Sequence, residues 1–193
     1  RRSRPATGRW SYSPLAPGVR QGEVFGLTVD RVDFLRRMVK VDRQLILLPG
    51  APPTFGPPKT HASYRTVPLP QVVVDELAAH LAAWPVGESG LIFTNNQGDA
   101  ISRTRFSDQV WRPAVKATEL DGARFNDLRH FYASLLIRHG ESVKVVQSRL
   151  GHASAAETLD TYSHLWPDSE DQTRAAVYSA LGAGDSLRTA EAT

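Results

Sequence analysis

The 193-residue sequence contains no cysteine and only one methionine. Without cysteine the chain cannot form disulfides or thiolate metal sites, which excludes disulfide-stapled secreted domains and cysteine-ligated zinc modules. Long apolar runs are also missing, since no stretch approaches the about 20 residues that a membrane-spanning helix needs. The basic N-terminal residues are not followed by an apolar segment, so a secretory signal is not expected. The sequence therefore predicts a soluble, intracellular protein without a membrane partner.

Charge is unevenly distributed along the chain. There are 23 lysine and arginine residues against 20 aspartate and glutamate residues, a formal net charge of +3. Basic residues gather in segments 1–43 and 103–129, whereas acidic residues become frequent from residue 168 onward. A basic face is suited to a polyanion such as nucleic acid, although an ordinary solvated surface has a similar composition. Charge alone therefore favours a nucleic-acid partner only slightly.

The pattern of apolar and turn-forming residues divides the chain into three parts. Residues 1–17 contain proline, glycine and serine without periodicity and predict a basic, poorly ordered arm. Residues 18–183 are predicted to form one domain, and residues 184–193 a flexible tail. Strands of a small antiparallel sheet are predicted at Phe34–Val41, Leu45–Leu48 and Ser63–Leu69, with a loop at Ala51–Pro58.

The rest of the domain is predicted to be helical. After Pro70, apolar residues recur at helical spacing and predict a helix that ends before Pro85. Ser102 is expected to cap a second helix, which Pro113 should kink near Trp111. The other predicted helices lie within Gly18–Leu27, from Asn126 or Asp127 to Gly140, from Ser142 to Gly151, after the Ser154–Glu157 capping box, and from Asp168 or Ser169 to about Leu181. The predicted fold class is α+β, mainly α, with a small antiparallel three-stranded sheet.

Three short motifs place chemically capable side chains beside predicted helix ends. They supply Arg129 and His130, then His152, then Tyr162. An arginine can bind phosphate through parallel N–H groups, a histidine can move a proton, and a tyrosine can attack phosphorus where cations stabilise the phosphate. Tyrosine alone is a poor nucleophile, because its reference pKa is about 10. Taken singly, the three residue types have ordinary alternatives: a surface arginine, a helix-capping histidine and a half-buried tyrosine.

The order and spacing of these motifs resemble the catalytic domain of the tyrosine recombinase, or phage integrase, family. The resemblance covers about Gly18 to Leu181 and is strongest in Phe125–His130, Leu150–His152 and Tyr162–Pro167. The amino-acid sequence of Leu159–Asp171 is most similar to that of integrases of actinobacterial phages and integrated elements. The resemblance implies the helical catalytic domain of a site-specific recombinase that cleaves and rejoins DNA.

The resemblance also implies roles for individual residues. Tyr162 is expected to attack a DNA phosphodiester and form a 3′-phosphotyrosyl link, while Arg20 and Arg129 hold the non-bridging oxygens. Lys59 is expected to protonate the leaving 5′-oxygen as a general acid. His152 is expected to donate to the phosphate or to assist the tyrosine proton. The supporting residues are Glu23, which would orient the arginines or His152, together with Asn126, His130 and His164.

The partners implied by the resemblance are double-stranded DNA and further copies of the chain, assembled as a homo-tetramer on DNA. The protein would act in the cytoplasm as a bacterial or phage-derived recombinase. No cofactor is expected, because the cations act in place of a metal ion and the covalent link conserves the bond energy. His61, His80 and His139 show no ligand-like grouping, so no metal site is predicted.

Two departures from the family pattern predict weakened activity. Asn126 stands three residues before Arg129, where the family usually has histidine or lysine; an amide can cap a helix and donate a hydrogen bond but cannot shuttle a proton. Residues 1–17 do not resemble the family's helical core-binding domain, so an N-terminally truncated domain with a loosely placed Arg20 is expected. The alternatives are a DNA-binding integrase remnant that does not cleave and a type IB topoisomerase-like enzyme.

Overall fold

Helices form most of the regular structure in the part of the chain that the computed structural model describes, residues 18–118, 120, 122–166, 170 and 173–181. They are α1 (Gln21–Phe25), α2 (Gln71–Ala83), α3 (Arg103–Phe106), α4 (Arg112–Lys116), α5 (Asp127–Arg138), α6 (Val143–Leu150) and α7 (Ala155–Tyr162). A further helical segment covers residues 173–181. None of the helices in these described ranges is long and apolar enough to cross a membrane.

Five short strands form two antiparallel sheets. They are β1 (Val32–Asp33), β2 (Met38–Val41), β3 (Gln44–Ile46), β4 (Thr54–Gly56) and β5 (Arg65–Pro68). The three-stranded sheet has the order β1-β2-β5, and β3 pairs with β4 as a separate hairpin. In the larger sheet Val39 lies opposite Val67, and both are buried. The predicted fold class, mainly helical with a small antiparallel sheet, is confirmed.

Two strand predictions were wrong in detail. The single strand predicted at Phe34–Val41 is interrupted by a turn, in which Arg37 has a φ of 55°, and the chain folds back to pair Val32 with Val39. The stretch Ala51–Pro58, predicted as a loop from its prolines, contains strand β4. Pairing with β3 stabilises this edge segment, and proline is compatible with an edge strand because it needs no ladder N–H there.

The helix after Ser102 is distorted where proline was expected to kink it. Residues Ser107–Trp111 form a π-helical turn between α3 and α4. Pro113 follows directly, within the first turn of α4. Because proline has no N–H and its ring crowds the preceding turn, the regular hydrogen-bond ladder widens at this point.

The ends of the C-terminal helices follow local signals. Gly140 and Gly151 adopt positive φ values of 83° and 68° after α5 and α6, which suits glycine. The Ser142 and Ser154 side chains accept hydrogen bonds from backbone N–H groups three residues on. The predicted starts of the last helix at Asp168 or Ser169 and the segments 1–17 and 184–193 lie outside the described residues.

The buried side chains form two clusters. The larger cluster joins the strands to α1, α2 and α3–α4 and includes edge-to-face contacts of Phe25 with Phe106 and of Phe106 with Phe125. The smaller cluster lies between α5, α6 and α7 and contains Tyr162. Arg149 on α6 donates to the Thr66 carbonyl at 3.1 Å and thereby connects the smaller cluster to β5. Of the residues singled out from the sequence, Arg20, Glu23, Arg129, His152 and Tyr162 lie at this junction.

Candidate active site

Arg20 and Glu23 are positioned together by the start of α1. The Glu23 carboxylate accepts the backbone N–H of Arg20 at 2.8 Å and the Arg20 guanidinium at 3.3 Å. The same guanidinium donates to the Ser63 hydroxyl at 2.9 Å, just before β5. The predicted role of Glu23 in orienting an arginine therefore has a structural basis, and Arg20 is held by both neighbours.

Arg65 on β5, whose side chain is only 4% exposed, was missed by sequence reasoning. Its guanidinium contacts the Glu23 carboxylate at 2.9 Å. It also donates to the backbone carbonyls of Arg149, Ser63 and Gly18, at 2.9, 2.9 and 3.1 Å. The sequence did contain a signal for its burial, the alternation of inward and outward residues along β5, because Arg65 shares its face with the buried residues Val67 and Leu69. Arg65 therefore clamps α1, β5 and α6 together.

Arg129 is buried on the first turns of α5. Its Nη1 atom donates a hydrogen bond to the Gly18 carbonyl, which Arg65 also contacts. The pKa of Arg129 is lowered from 12.5 to about 10, mainly by burial and additionally by the positive charges of Arg20 and Arg65. Arg129 is therefore a charged group held next to other cations rather than one that is fully paired.

The set Arg20, Glu23, Arg65 and Arg129, hereafter the arginine cluster, carries uncompensated positive charge. Among the residues that the structure describes, its three guanidinium groups face a single carboxylate, which leaves an excess of two positive charges. Cations in a poorly solvated site repel one another unless an anion is present. Guanidinium groups match the oxygens of a phosphate through bidentate hydrogen bonds. The cluster therefore has the chemistry of a phosphate-binding site.

His152 follows the left-handed Gly151 at the end of α6 and is buried. Its Nδ1 atom lies 2.9 Å from the Thr158 hydroxyl, a fully buried partner that sequence reasoning also missed. Burial lowers the pKa of His152 to about 4, with a further contribution from the charge of Arg129. His152 is therefore neutral at physiological pH and can donate one N–H without adding a charge.

Tyr162 is the last residue of α7, and only 3% of its surface is exposed. Its ring stacks on His152 with centroids 6.4 Å apart and planes within 9° of parallel. Its hydroxyl lies 2.8 Å from His130 Nδ1. Burial raises the pKa of Tyr162, and the positive charge of Arg129 opposes this increase. The phenol is therefore protonated at rest and lies within the field of the arginine cluster.

Asn126 contacts His130 instead of capping its helix. Its Nδ2 atom lies 2.9 Å from His130 Nε2, and its side chain makes no cap hydrogen bond. The side-chain bond at this helix start is made by Asp127, which accepts the N–H of Arg124 at 2.8 Å. Of the two residues expected to cap α5, Asn126 stands at the cap position but makes no side-chain cap hydrogen bond, and a polar chain runs from Asn126 through His130 to Tyr162.

Lys59 and His164 are not joined to these contacts. Both are exposed; Lys59 lies in the loop between β4 and β5, and His164 in the 3₁₀ turn Ser163–Leu165 after Tyr162. No hydrogen bond or ion pair connects either side chain to the arginine cluster within the described residues. Those residues also contain no group of three or more histidine, cysteine, aspartate or glutamate side chains that could hold a metal ion.

The fold is that of the tyrosine recombinase catalytic domain. Residues 14–168 match the phage integrase family. The chain belongs to this family. Its curated relatives come from diverse bacteria, among them species of Caldanaerobacter, Bacillus, Escherichia and Corynebacterium.

Two curated relatives illustrate the match. A tyrosine recombinase XerC-like protein of Caldanaerobacter subterraneus subsp. tengcongensis is 28% identical over 78% of this chain and 43% of its own length. The ICEBs1 integrase of Bacillus subtilis is 26% identical over 80% of this chain and 44% of its own length. The chain therefore spans less than half the length of these relatives.

Solved structures agree on the fold. The Tn1549 transposon integrase in complex with a circular intermediate DNA superimposes with a TM-score of 0.70 at 21% identity, over 86% of this chain and 55% of that one. The XerA recombinase superimposes with a TM-score of 0.61 at 22% identity, over 81% of this chain and 57% of that one. At these identities the likeness establishes the architecture, whereas the roles of individual side chains remain predictions.

Proposed function

We propose that this chain is the catalytic part of a site-specific recombinase that cleaves and rejoins double-stranded DNA through a 3′-phosphotyrosyl link at Tyr162. The observation that carries the proposal is the excess of two positive charges in the arginine cluster, in electrostatic contact with the buried phenol. A phosphodiester would supply the missing anion. The same cations would stabilise the charge that builds on phosphorus-bound oxygens during attack, which is usually the largest catalytic contribution.

We assign the steps of the proposed reaction to the side chains as follows. Arg20 and Arg129 bind the non-bridging oxygens, and the Tyr162 oxygen attacks phosphorus as the bond to the 5′-oxygen breaks. Lys59 gives that oxygen a proton, and the exposed loop that carries Lys59 would close on the bound DNA. Attack by the 5′-hydroxyl of another strand reverses the step and produces strand exchange.

We further propose that the protein works on DNA in the bacterial cytoplasm as a homo-tetramer. We also propose that it is most similar to the integrases of actinobacterial elements. The helical segment 173–181 supports assembly, because Val177, Tyr178 and Leu181 are 51%, 81% and 73% exposed. They therefore do not cover the core of their own domain. Removing the residues after Trp166 is expected to abolish cooperative DNA binding; unchanged cooperativity would exclude this docking role.

A trapping experiment tests the proposed reaction. The chain is incubated with a pool of duplexes whose sequence is randomised around a nick, so that cleavage beside the nick releases a short 5′-hydroxyl fragment and leaves the protein attached. A covalent adduct that survives denaturing electrophoresis is expected for the parent chain and should be absent for Tyr162→Phe. Binding without any adduct would reject the enzyme.

The second candidate is a DNA-binding integrase remnant that does not cleave. Asn126 favours it, because the family usually has a chargeable side chain at this position. Under this alternative the chain binds the duplex pool in a salt-dependent way but forms no adduct. If Asn126 only weakens catalysis, Asn126→His should raise the cleavage rate several-fold, whereas an unchanged rate would show that this position is not limiting.

A further inference from the structure

The hydrogen bond between His130 and Tyr162 is not used by the reaction described above. We propose that His130 accepts the phenolic proton of Tyr162 during attack, and that Asn126 selects the His130 tautomer that can do so. The proposal deepens the proposed function and rests on it. It gives the departure at Asn126 a positive role, because an amide can present either a donor or an acceptor to the ring.

Geometry favours His130 as the base. Its Nδ1 atom is 2.8 Å from the Tyr162 hydroxyl, within the range needed for direct proton transfer. Tyr162 is buried whereas His130 is exposed on α5. The imidazole therefore connects a buried proton donor to solvent, where a proton taken from the phenol can be released.

His152 is less suited to the same task. Its ring lies nearly parallel to the Tyr162 ring, so its nitrogens, which bond in the ring plane, do not point along the stacking direction toward the hydroxyl. Its Nδ1 atom is already paired with Thr158, and its Nε2 atom lies 3.9 Å from a Glu157 carboxylate oxygen. His152 therefore remains available to the phosphate rather than to the phenol.

The tautomer of His130 depends on the orientation of the Asn126 amide. In the observed orientation, Asn126 Nδ2 donates to His130 Nε2. A neutral His130 ring then carries its proton on Nδ1 and donates to the Tyr162 hydroxyl. Rotating the amide by a half turn presents Oδ1, so that Nε2 carries the proton and Nδ1 accepts from Tyr162. The oxygen and nitrogen of an amide have nearly the same size, so the exchange needs no other movement.

The balanced step uses the second orientation. The proton moves from the Tyr162 oxygen to His130 Nδ1 as that oxygen bonds to phosphorus and the bond to the 5′-oxygen breaks. The imidazolium then donates from Nε2 to Asn126 Oδ1 and later releases its extra proton to water. The charged or titratable groups around this pair are Arg129 and Asp127 on α5, His152 after α6, and His164 in the turn packed against α5.

The first test compares His130→Gln with His139→Gln, an exposed histidine beyond the other end of α5. With duplexes selected by trapping, cleavage by the parent should rise with pH through an inflection, because only an unprotonated ring nitrogen can accept the phenolic proton. His130→Gln should lose about 100-fold in rate and the inflection with it. Added imidazole should partly restore His130→Ala. An unchanged profile in His130→Gln would overturn the proposal.

The second test separates the base from the acid. A duplex whose scissile 5′-oxygen is replaced by sulfur has a leaving group that departs without a proton. Lys59→Ala should regain most of its rate on this duplex, whereas His130→Gln should stay slow. Recovery of His130→Gln would show that it acts on the leaving group, which contradicts the proposal.

The third test addresses Asn126, and its spectroscopic part needs no DNA. Asn126→Asp presents only acceptors, so the ¹⁵N resonances of the His130 ring should shift to the form protonated at Nε2, and cleavage should become several-fold faster. A shifted tautomer without faster cleavage, or no shift, would overturn the role of Asn126. If the parent chain forms an adduct but the tests of His130 and Asn126 give the opposite results, only this inference is wrong. If the parent chain forms no adduct, the proposed function is wrong as well.

Discussion

The arginine cluster and the tyrosine are held in opposite ways. In the cluster, Glu23 accepts hydrogen bonds from Arg20 and Arg65, and Arg65 also binds three backbone carbonyls. Around Tyr162, the described residues supply one polar contact to the hydroxyl, from the exposed His130, whose other nitrogen contacts Asn126. The arginine cluster is fixed by many contacts, whereas within the described residues the Tyr162 hydroxyl is held by a single titratable ring.

This difference suits the two tasks. Groups that stabilise developing charge are most effective when they are fixed before the reaction, because they then need no reorganisation. A nucleophile must instead lose a proton during the step, and this requires a neighbour that can change its protonation state. We infer that the fold uses its buried contacts for the arginines and leaves proton transfer to the solvent-facing end of α5.

The largest effect is expected at Arg129, where charge serves function more than stability. Arg129→Met should lower the rate of adduct formation by about 100- to 1000-fold, because one phosphate donor is lost. The free energy of unfolding should change by less than about 1 kcal/mol or increase, since repulsion with Arg20 and Arg65 disappears. Trapping and urea unfolding measure the two quantities. A large loss of stability would show that Arg129 is a structural cation.

The next effect compares how a buried and an exposed carboxylate contribute to the free energy of unfolding. Glu23→Gln should lower the free energy of unfolding by about 3 kcal/mol, because it leaves buried guanidinium groups without their carboxylate. The matched control is Glu157→Gln, whose side chain is 47% exposed and should cost less than about 1 kcal/mol. Urea unfolding of both variants provides the comparison. Equal losses would contradict the view that the cluster depends on Glu23.

A smaller effect concerns the pH dependence of stability. The pKa of His152 is about 4 in the folded chain against 6.5 in the reference state, so the unfolded chain takes up the proton first as pH falls. Its contribution is complete above about pH 6.5 and is lost toward pH 4, by at most about 1.4 kcal/mol per pH unit. The difference in unfolding free energy between the parent and His152→Asn should show this slope; a constant difference would exclude a neutral buried His152.

The smallest effect tests how closely the C-terminal end of α6 packs against the arginine cluster. A methyl group on Gly151 would lie 3.0 Å from the Ala62 carbonyl oxygen and the Ser63 Cα atom, whereas at Gly140 nothing lies within 4 Å. Both glycines have positive φ. Gly140→Ala should therefore cost about 1 kcal/mol from backbone strain alone, and Gly151→Ala should cost more and slow cleavage. Thermal unfolding that gives equal costs would contradict the close contact.

Local signals predicted the helices well. Apolar periodicity before Pro85, serine caps at Ser142 and Ser154, and glycines after α5 and α6 depend on neighbours in sequence. The strands were harder to predict, because strand pairing depends on segments that are distant in sequence. The turn that separates β1 from β2 and the pairing of β4 within a proline-rich stretch depend on which segment lies opposite.

The same distinction applies to the site. Arg20, Arg129, His152 and Tyr162 could be proposed because their motifs resemble a family pattern, and their roles stay predictions, as does that of Lys59. Arg65, Ser63 and Thr158 were missed because each acquires its importance from a partner distant in sequence or hidden by burial. Only Arg65 had a usable signal, in the alternation of β5.

The most direct measurement is the identity of the residue that becomes attached to DNA. Adduct from the trapping experiment is digested with protease and nuclease, and the modified peptide is analysed by mass spectrometry. The account predicts a nucleotide linked through its 3′-phosphate to Tyr162 in the parent chain and a much lower yield, at the same residue, in Arg129→Met. Attachment to a different residue, or no adduct from a chain that binds the duplexes, would contradict the account.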